Sequence, residues 1–156
     1  GGETMNIRDT GVYVNTTGGA QGISFNGGAD WLDDYDEGTW NIQEKNGQGG
    51  TMTTNRANYT KIGRMVYASG SVTVGTTSNV NHLNLTLPFS STINGFYIGG
   101  GNVSYNTLAS TYRDNLRPNL ENAADNVFFF YGNNQDIVTC AQASQARIDF
   151  FVIYQV

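Results

Sequence analysis

Hydrophobic and polar residues alternate along most of this chain with the two-residue period that is typical of β-strands. Leu83, Leu85 and Leu87 alternate with polar neighbours. Residues 59–62 and 65–74 repeat the pattern on either side of a Gly-Arg pair, which predicts a tight hairpin turn. No stretch of about a dozen residues keeps the 3.6-residue period of a helix. The pattern therefore predicts an all-β fold of antiparallel strands with almost no helix.

Two stretches interrupt the alternation. Residues 95–104 predict a further strand that is interrupted by three consecutive glycines at positions 99–101, which indicate a bulge or a loop tip. Residues 111–122 are rich in Asn, Asp and Pro and indicate an irregular connection. The remaining strands suffice for an antiparallel β-sandwich, jelly-roll-like, over residues 41–156.

The last two predicted strands, residues 127–131 and 148–156, are apolar on both faces over much of their length. A surface strand of a monomeric sandwich is apolar on one face only, so something must cover the second face. Either neighbouring subunits or loops of the same chain could do so. The first interpretation assigns four residues to subunit contacts: Phe128, Phe130, Phe151 and Ile153.

Residues 1–30 form a separate region with three short predicted strands, at residues 5–8, 12–14 and 22–25, which are separated by Asp-Thr-Gly and by Gly-Gly. So few apolar residues cannot offset the conformational entropy lost on ordering. We therefore expect this region to be disordered or to be stabilised by identical copies wrapped about a common axis. The chain begins Gly-Gly-Glu without a Met, which indicates a piece of a longer protein.

Composition narrows the class of protein. The 156 residues suffice for one ordinary domain, and charged residues make up only 13%. The net charge is -5 with 8 scattered basic residues, which argues against a partner with a phosphate backbone and against binding to an anionic membrane surface. No apolar run approaches the roughly 18 residues that a membrane span needs.

Three stretches resemble bacteriophage tail fibres. Residues 3–14 are similar to the recurring shaft segment of these fibres, with an acidic residue, a Met-x-Ile strand, a turn that ends in Gly and a Val-x-Val strand. Residues 32–40 resemble the junction that follows such shafts. Residues 58–66 and 70–74 resemble the opening hairpin of the head domain.

The resemblance implies a homotrimer at the distal end of a fibre, joined to the rest of the fibre at its N-terminal side. Residues 1–30 would be the shaft, residues 31–40 an acidic junction and residues 41–156 the head. Such a tip belongs to the virion, is extracellular and attaches to a receptor on the bacterial surface, with a glycan as the expected receptor. The alternatives are a capsid decoration or head-fibre domain without a specific ligand, a tailspike-type polysaccharide-degrading enzyme, and a β-sandwich lectin unrelated to phages.

Tyrosine and asparagine residues in or beside Gly/Asn-rich loops are the candidate receptor contacts. Tyr stacks on sugar faces and Asn bonds to hydroxyls with little loss of side-chain entropy. The alternative is that Tyr97 and Tyr131 end strands as core or interface residues. The candidates are Tyr97, Tyr105, Tyr112, Tyr131, Asn133 and Asn134.

An acidic stretch lies between Trp31 and Trp40, the two tryptophans of the chain. We expect these tryptophans to seal the base of the head where three chains leave the shaft. Ca²⁺ prefers clustered oxygen ligands, so a structural ion is one interpretation of the acidic stretch, and a solvated turn is the other. The ion would be held by Asp33, Asp34, Asp36 and Glu37.

No catalytic constellation emerges from the remaining residues. His82 is the single histidine and no Gly-x-Ser-x-Gly motif surrounds a serine, which argues against a serine hydrolase. The carboxylates of the head are isolated in sequence, whereas a glycosidase needs a spatial pair. Cys140 lies in an apolar stretch and is expected to be a buried, unreactive thiol. The sequence therefore predicts a binding protein, not an enzyme.

Overall fold

The computed structural model describes residues 4–8, 11–15, 23–25, 30–32, 34–91, 99–120, 124–133 and 135–156, with side chains from residue 34 onward. The N-terminal region contains two antiparallel hairpins. β1 (Thr4–Arg8) pairs with β2 (Gly11–Asn15), and β3 (Ile23–Phe25) pairs with β4 (Asp30–Leu32). The three short N-terminal strands predicted from the sequence coincide with β1, β2 and β3.

Five antiparallel strands form one sheet, which we call the front sheet. In spatial order they are β5 (Tyr35–Thr39), β6 (Thr53–Ile62), β7 (Met65–Thr73), β13 (Arg147–Gln155) and β9 (Gly99–Asn106). The predicted hairpin is β6–β7, and Gly63 adopts a φ of +56° in its turn, a conformation that suits glycine. Residues 35–39, which the sequence assigns to the junction, form the edge strand of this sheet.

Four strands form the second sheet, the back sheet. β11 (Asn126–Tyr131) lies at its centre and pairs with β8 (Leu85–Thr86), β10 (Arg117–Leu120) and β12 (Asp136–Ile137). One short helix, α1 (Ser110–Arg113), connects the sheets between β9 and β10. Within the described ranges no helix is long and apolar enough to cross a membrane.

The two sheets enclose one hydrophobic core. Alternate residues of β7 and β13 point inward and are buried, among them Val66, Val72, Ile148 and Val152. From the back sheet, Phe129 packs edge-on against Phe150 with ring centroids 5.5 Å apart. Leu83, Leu85 and Leu87 are all buried, as their alternation predicted. The prediction of an all-β, antiparallel sandwich is confirmed.

The glycine run is neither a loop tip nor the position of a bulge. Gly99, Gly100 and Gly101 begin β9 and pair in register with β13. A Cβ atom on Gly101 would meet the backbone of Phe151 and the ring of Pro118. The glycines therefore allow β10 of the back sheet to approach the edge of the front sheet closely.

The stretch 111–122 is more ordered than the sequence indicates. Its described part contains the last three residues of α1 and the strand β10, which includes Pro118. β10 pairs with β11 on one side, so Pro118 occupies the edge-strand position that proline tolerates.

The four residues predicted as subunit contacts are divided between the two sides of the sandwich. Phe128 and Phe130 lie half-buried on the outer face of the back sheet, edge-on to each other at 5.2 Å. Phe151 and Ile153 lie on the outer face of the front sheet. One flat interface can therefore include only one of these pairs.

The two tryptophans lie in different elements. Trp40 directly follows β5, packs against the core and donates from Nε1 to the carbonyl oxygen of Thr86 at 3.1 Å. It thereby ties the edge of the front sheet to β8 of the back sheet. Trp31 lies in β4 opposite Ser24, and its side chain is outside the described set.

Tyr154 joins the end of the chain to the turn at Leu87-Pro88-Phe89. Its ring is buried, its hydroxyl donates to the carbonyl oxygen of Phe89 at 3.1 Å, and it accepts from the Phe89 N–H at 3.3 Å. Burial raises the pKa of the Tyr154 hydroxyl well above its ordinary value. The hydroxyl therefore stays neutral and keeps both hydrogen bonds across the usual pH range.

We expect Tyr154→Phe to lower the free energy of unfolding by about 1–2 kcal/mol, because the buried N–H of Phe89 loses its acceptor. The same change at Tyr67, an exposed residue of β7, should alter it by less than about 0.5 kcal/mol. Urea denaturation of both variants measures the difference. Equal effects would contradict the role assigned to the Tyr154 hydroxyl.

Candidate ligand-binding cleft

A polar cleft of about 440 Å³ lies on the outer face of the front sheet. It crosses β6, β7, β13 and β9 near the end of the sheet where β6 and β13 begin. Its polar side chains are Asn55, Arg56, Ser69, Ser71, Ser104, Arg147 and Asp149. We call this feature the cleft.

The hollow arises from a difference in side-chain size. The outward residues of the inner strand β7 at this level are Ser69 and Ser71, whose small side chains form the floor. Arg56 on β6 and Arg147 on β13 are long and form the walls. A sheet face with small side chains in the centre and long side chains on both sides is concave.

Two β-bulges lie on either side of the floor, at the same level of the sheet. The register of β6 against β7 shifts between Thr54 and Arg56, which places Asn55 in the bulge. The register of β9 against β13 shifts at Asp149/Phe150, opposite Ser104. Bulges are frequent beside functional sites because they redirect side chains.

Each bulge turns outward a side chain that strict alternation would point into the core. Ala57 and Tyr59 face inward on β6, so unbroken alternation would place Asn55 inward as well. Instead, Asn55 Nδ2 donates to the outward hydroxyls of Ser71 at 3.4 Å and Thr73 at 3.1 Å. Both bulges therefore add polar or aromatic groups to the outer face.

The same effect operates on β9. Val103 faces inward opposite Phe150, whereas Tyr105, two residues later, lies opposite Asp149 on the outer face. There Tyr105 is 52% exposed and lies under Arg147, with Cζ of the arginine 5.4 Å from the ring centroid. An exposed aromatic ring is thus placed at the side of the cleft.

Asp149 is held by a fork of hydrogen bonds. Arg147 donates from Nε to Oδ1 at 2.8 Å and from Nη2 to Oδ2 at 2.6 Å, and Ser71 donates to Oδ1 at 2.6 Å. Burial alone would raise the pKa of Asp149, but the hydrogen bonds from Arg147 and Ser71 and the charge of Arg147 hold it below its ordinary value. The carboxylate is therefore ionised at neutral pH and its orientation is fixed.

Arg56 differs from Arg147 because its charge is not compensated. Its guanidinium makes no hydrogen bond or ion pair with any residue in the described part of the chain. Among the lining residues Arg56 and Arg147 carry positive charges and Asp149 carries a negative one, which leaves one net positive charge. The cleft is therefore locally positive, whereas the net charge of the whole chain is -5.

The predicted receptor contacts are not brought together at one place. Tyr105 borders the cleft, whereas Tyr112 and Tyr131 pack edge-on at 5.1 Å and lie half-buried against the core. Asn133 is exposed in the turn after β11. Tyr97 and Asn134 lie outside the described residues. The packing of Tyr131 is that of the core alternative, and Tyr112, for which the sequence raised no such alternative, packs against the core beside it.

The three predicted acidic ligands that the structure describes, Asp34, Asp36 and Glu37, do not converge on one point. Glu37 accepts from the Tyr35 hydroxyl at 2.6 Å, Asp36 from the Tyr59 hydroxyl at 3.4 Å, and Asp34 pairs with Lys61. Asp36 and Glu37 are consecutive in β5 and point to opposite faces. Asp33 lies outside the described set, and within that set no three acidic, His or Cys residues are grouped as metal ligands.

The two other reactive residues of the sequence lie away from the cleft. Cys140 is fully buried, and burial raises the pKa of its thiol to about 11. His82 is exposed and forms an isolated bridge with Thr139. The protonated thiol is poorly reactive at neutral pH.

Sequence reasoning missed Arg56, Ser71 and Arg147, and it recorded Asp149 only as an isolated carboxylate. One local signal was present. Arg147 and Asp149 are two residues apart in an otherwise apolar strand, so they share a face and can pair. Ser71 and Arg56 carried no comparable signal, because only the register of the sheet brings them beside Asp149.

No protein-family model, no curated protein and no solved structure matches the chain. The function is therefore argued from the residues and from the geometry of the cleft.

We expect Asp149→Asn to lower the free energy of unfolding at pH 7 by about 1–3 kcal/mol, because Arg147 and Ser71 lose a charged partner. The folded-state pKa of Asp149 lies below that of the unfolded state, so the unfolded state binds more protons as the pH falls below roughly 4. The wild-type stability should decrease over this acid range, and the variant should lose less.

Urea denaturation between about pH 2 and 7 measures both effects. Asp136→Asn is the matched control, because Asp136 is exposed and its carboxylate makes no hydrogen bond within the described residues. An acid dependence that is the same in Asp149→Asn and in the wild type would show that another group is responsible.

Proposed function

We propose that this chain is the receptor-binding tip of a bacteriophage tail fibre, which attaches the virion to the bacterial surface through a glycan. The proposal rests on the resemblance of residues 3–14, 32–40, 58–66 and 70–74 to tail fibres, together with an all-β sandwich that presents a polar cleft. The cleft is the observation that carries the binding function. In this proposal the protein is extracellular and belongs to the virion.

The composition of the cleft suits a carbohydrate. Its serine hydroxyls and the Asn55 amide match the hydrogen-bonding groups of a sugar, and the exposed ring of Tyr105 offers an apolar face beside them. Its volume of about 440 Å³ lies within the range of small-molecule sites. The Asp149 carboxylate is held in place by Arg147 and Ser71, so the site is pre-organised.

We also propose that the tip is a homotrimer. The outer face of the front sheet carries a second feature, the apolar patch, at the end where the chain enters β5. By strand register Tyr35 neighbours Ile62, Ile62 neighbours Met65, and Tyr67 neighbours Ile153. All five are at least 41% exposed: Tyr35, Ile62, Met65, Tyr67 and Ile153. Contiguous apolar surface of this kind is typical of protein contacts, and two further copies of the chain would cover it.

The cleft lends no support to a polysaccharide-degrading enzyme. Hydrolysis of a glycosidic bond uses two carboxylates on opposite sides of the bond. Asp149 is the single carboxylate among the described residues that line the cleft, and it is engaged by Arg147 and Ser71. A binding function requires no second carboxylate.

Light scattering tests the trimer. We expect the native protein to have three times the mass of one 16.9 kDa chain. The double variant Met65→Glu, Ile153→Glu should shift the mass towards one chain, because each copy would bring two charges into the apolar patch. Both positions are exposed, so the isolated chain should still fold.

The control for this experiment is Val80→Glu, which places the same charge at a residue that is 75% exposed and outside the apolar patch. It should leave the mass unchanged. A native mass near that of one chain would contradict the trimer. A trimer that survives the double variant would place the subunit contacts elsewhere.

Competition for adsorption tests the receptor-binding function. Purified protein at saturating concentration should reduce phage adsorption to sensitive bacteria at least tenfold, because occupied receptors cannot bind virions. Heat-denatured protein is the control. A capsid decoration domain would leave adsorption unchanged, and release of reducing sugar ends from the bacterial polysaccharide would instead indicate an enzyme.

A further inference from the structure

The cleft offers two kinds of hydrogen-bonding group to a ligand. The hydroxyls of Ser69, Ser71 and Ser104 each donate their proton to the protein, to the Asn58 carbonyl, the Asp149 carboxylate and the Asp149 carbonyl, respectively. A hydroxyl that donates internally keeps two lone pairs as acceptors, of which Ser71 uses one for Asn55 Nδ2 and retains the other for a ligand. The floor and one side of the cleft therefore accept hydrogen bonds from ligand hydroxyls.

The arginines supply the donors. Arg147 uses Nε and one N–H of Nη2 for Asp149, so its other N–H groups remain for a ligand. Arg56 has all five of its N–H groups free within the described part of the chain. A guanidinium with a free fork binds planar or tetrahedral anions with two parallel hydrogen bonds.

Arg56 differs from the other described cations in the combination of a free guanidinium and a place in the cleft. Lys45, Lys61 and Arg147 each form an ion pair with an aspartate, and Arg64 and Arg117 each donate to a backbone carbonyl. Arg113 has no such partner within the described residues, but it does not line the cleft. Arg56 carries an unpaired charge and lines a concave site, where an anion can reach it. A neutral sugar would leave that charge without a partner, whereas an anionic ligand would neutralise the cleft.

We infer that the cleft binds a saccharide that carries an anionic group, a carboxylate or a phosphate, with the anion on Arg56 and the sugar hydroxyls on the serines. The identification of the ligand as a saccharide rests on the proposed function, whereas its charge rests on the cleft. Tyr105 lies where it can cover the apolar face of the sugar ring beside Arg147. Arg56 is then the residue that selects an acidic sugar over a neutral one.

Titration of ¹⁵N-labelled protein, followed by NMR, tests this assignment. The acidic probes are glucuronate, galacturonate and N-acetylneuraminate, and glucose and galactose are the neutral counterparts. At least one acidic sugar should shift the backbone amides of residues 55–56, 69–71 and 104–105, and should bind at least tenfold more tightly than its neutral counterpart. Binding should weaken with added salt, because the contact is between charges.

Two further ligands show whether the natural anionic group is a phosphate or a carboxylate. Glucose 6-phosphate should bind more tightly than glucuronate if a phosphate is the natural group, and less tightly if a carboxylate is. Inorganic phosphate alone should bind at least tenfold more weakly than the better of these sugars. Equal binding of inorganic phosphate would overturn the saccharide part of the inference.

Arg56→Gln should reduce the affinity for the acidic sugar at least tenfold and leave the weak affinity for neutral sugars unchanged. The fold should persist, because the exposed Arg56 side chain makes no hydrogen bond or ion pair within the described residues that the change could break. Arg113→Gln, which removes an exposed charge on α1 outside the cleft, is the matched control and should bind like the wild type. Equal affinity for acidic and neutral sugars, or wild-type affinity in Arg56→Gln, would overturn the inference.

Adsorption to bacteria separates this inference from the proposed function. If the native protein adsorbs to sensitive cells and Arg56→Gln adsorbs equally well, the assignment of the cleft is wrong and the receptor-binding function stands. If the native protein binds acidic sugars through Arg56 but does not adsorb to cells, the assignment of the cleft stands and the proposed function is wrong.

Discussion

The antiparallel pairing of β7 with β13 is the constraint on which the rest of the head depends. The ladder is continuous from Arg147 opposite Thr73 to Gln155 opposite Met65. It decides which residues of both strands face the core and which face outward. A slip of one residue would place Val72 on the same face as Asp149, so either Val72 would be exposed or Asp149 would be buried. The core and the cleft are therefore two consequences of one register.

The outer face of the front sheet has one apolar end and one polar end. Tyr67 and Ile153 lie at the end near the entry of the chain, and Ser71 and Asp149 lie at the cleft. Met65 and Ser71 are six positions apart in β7, which corresponds to roughly 20 Å. A surface divided in this way can use its apolar end for subunit contacts and its polar end for a ligand without conflict, as the proposed fibre tip requires.

The sequence pattern predicted the strands in which inward-facing and outward-facing residues alternate without interruption. β7 and the leucines at 83–87 were predicted because burial of one face imposes a period of two. The glycines at 99–101 were placed wrongly, since a glycine in a strand can indicate a bulge or a close neighbour, and here the neighbour is β10. The sequence could not predict that Arg56 and Asp149 line the same cleft, because they are 93 positions apart and come together only when the sheet forms.

The bulges explain why a cleft of this composition could not be recognised from alternation alone. Alternation assigns every second residue of a strand to the core, and a bulge shifts this assignment by one residue. Asn55 and Tyr105 would be assigned inward by counting from Ala57 and Val103. Their outward positions result from an interruption of the alternation, which is visible only in the register with the neighbouring strand. The cleft is therefore composed in part of residues that break the periodicity of the fold, whereas the core is composed of residues that follow it.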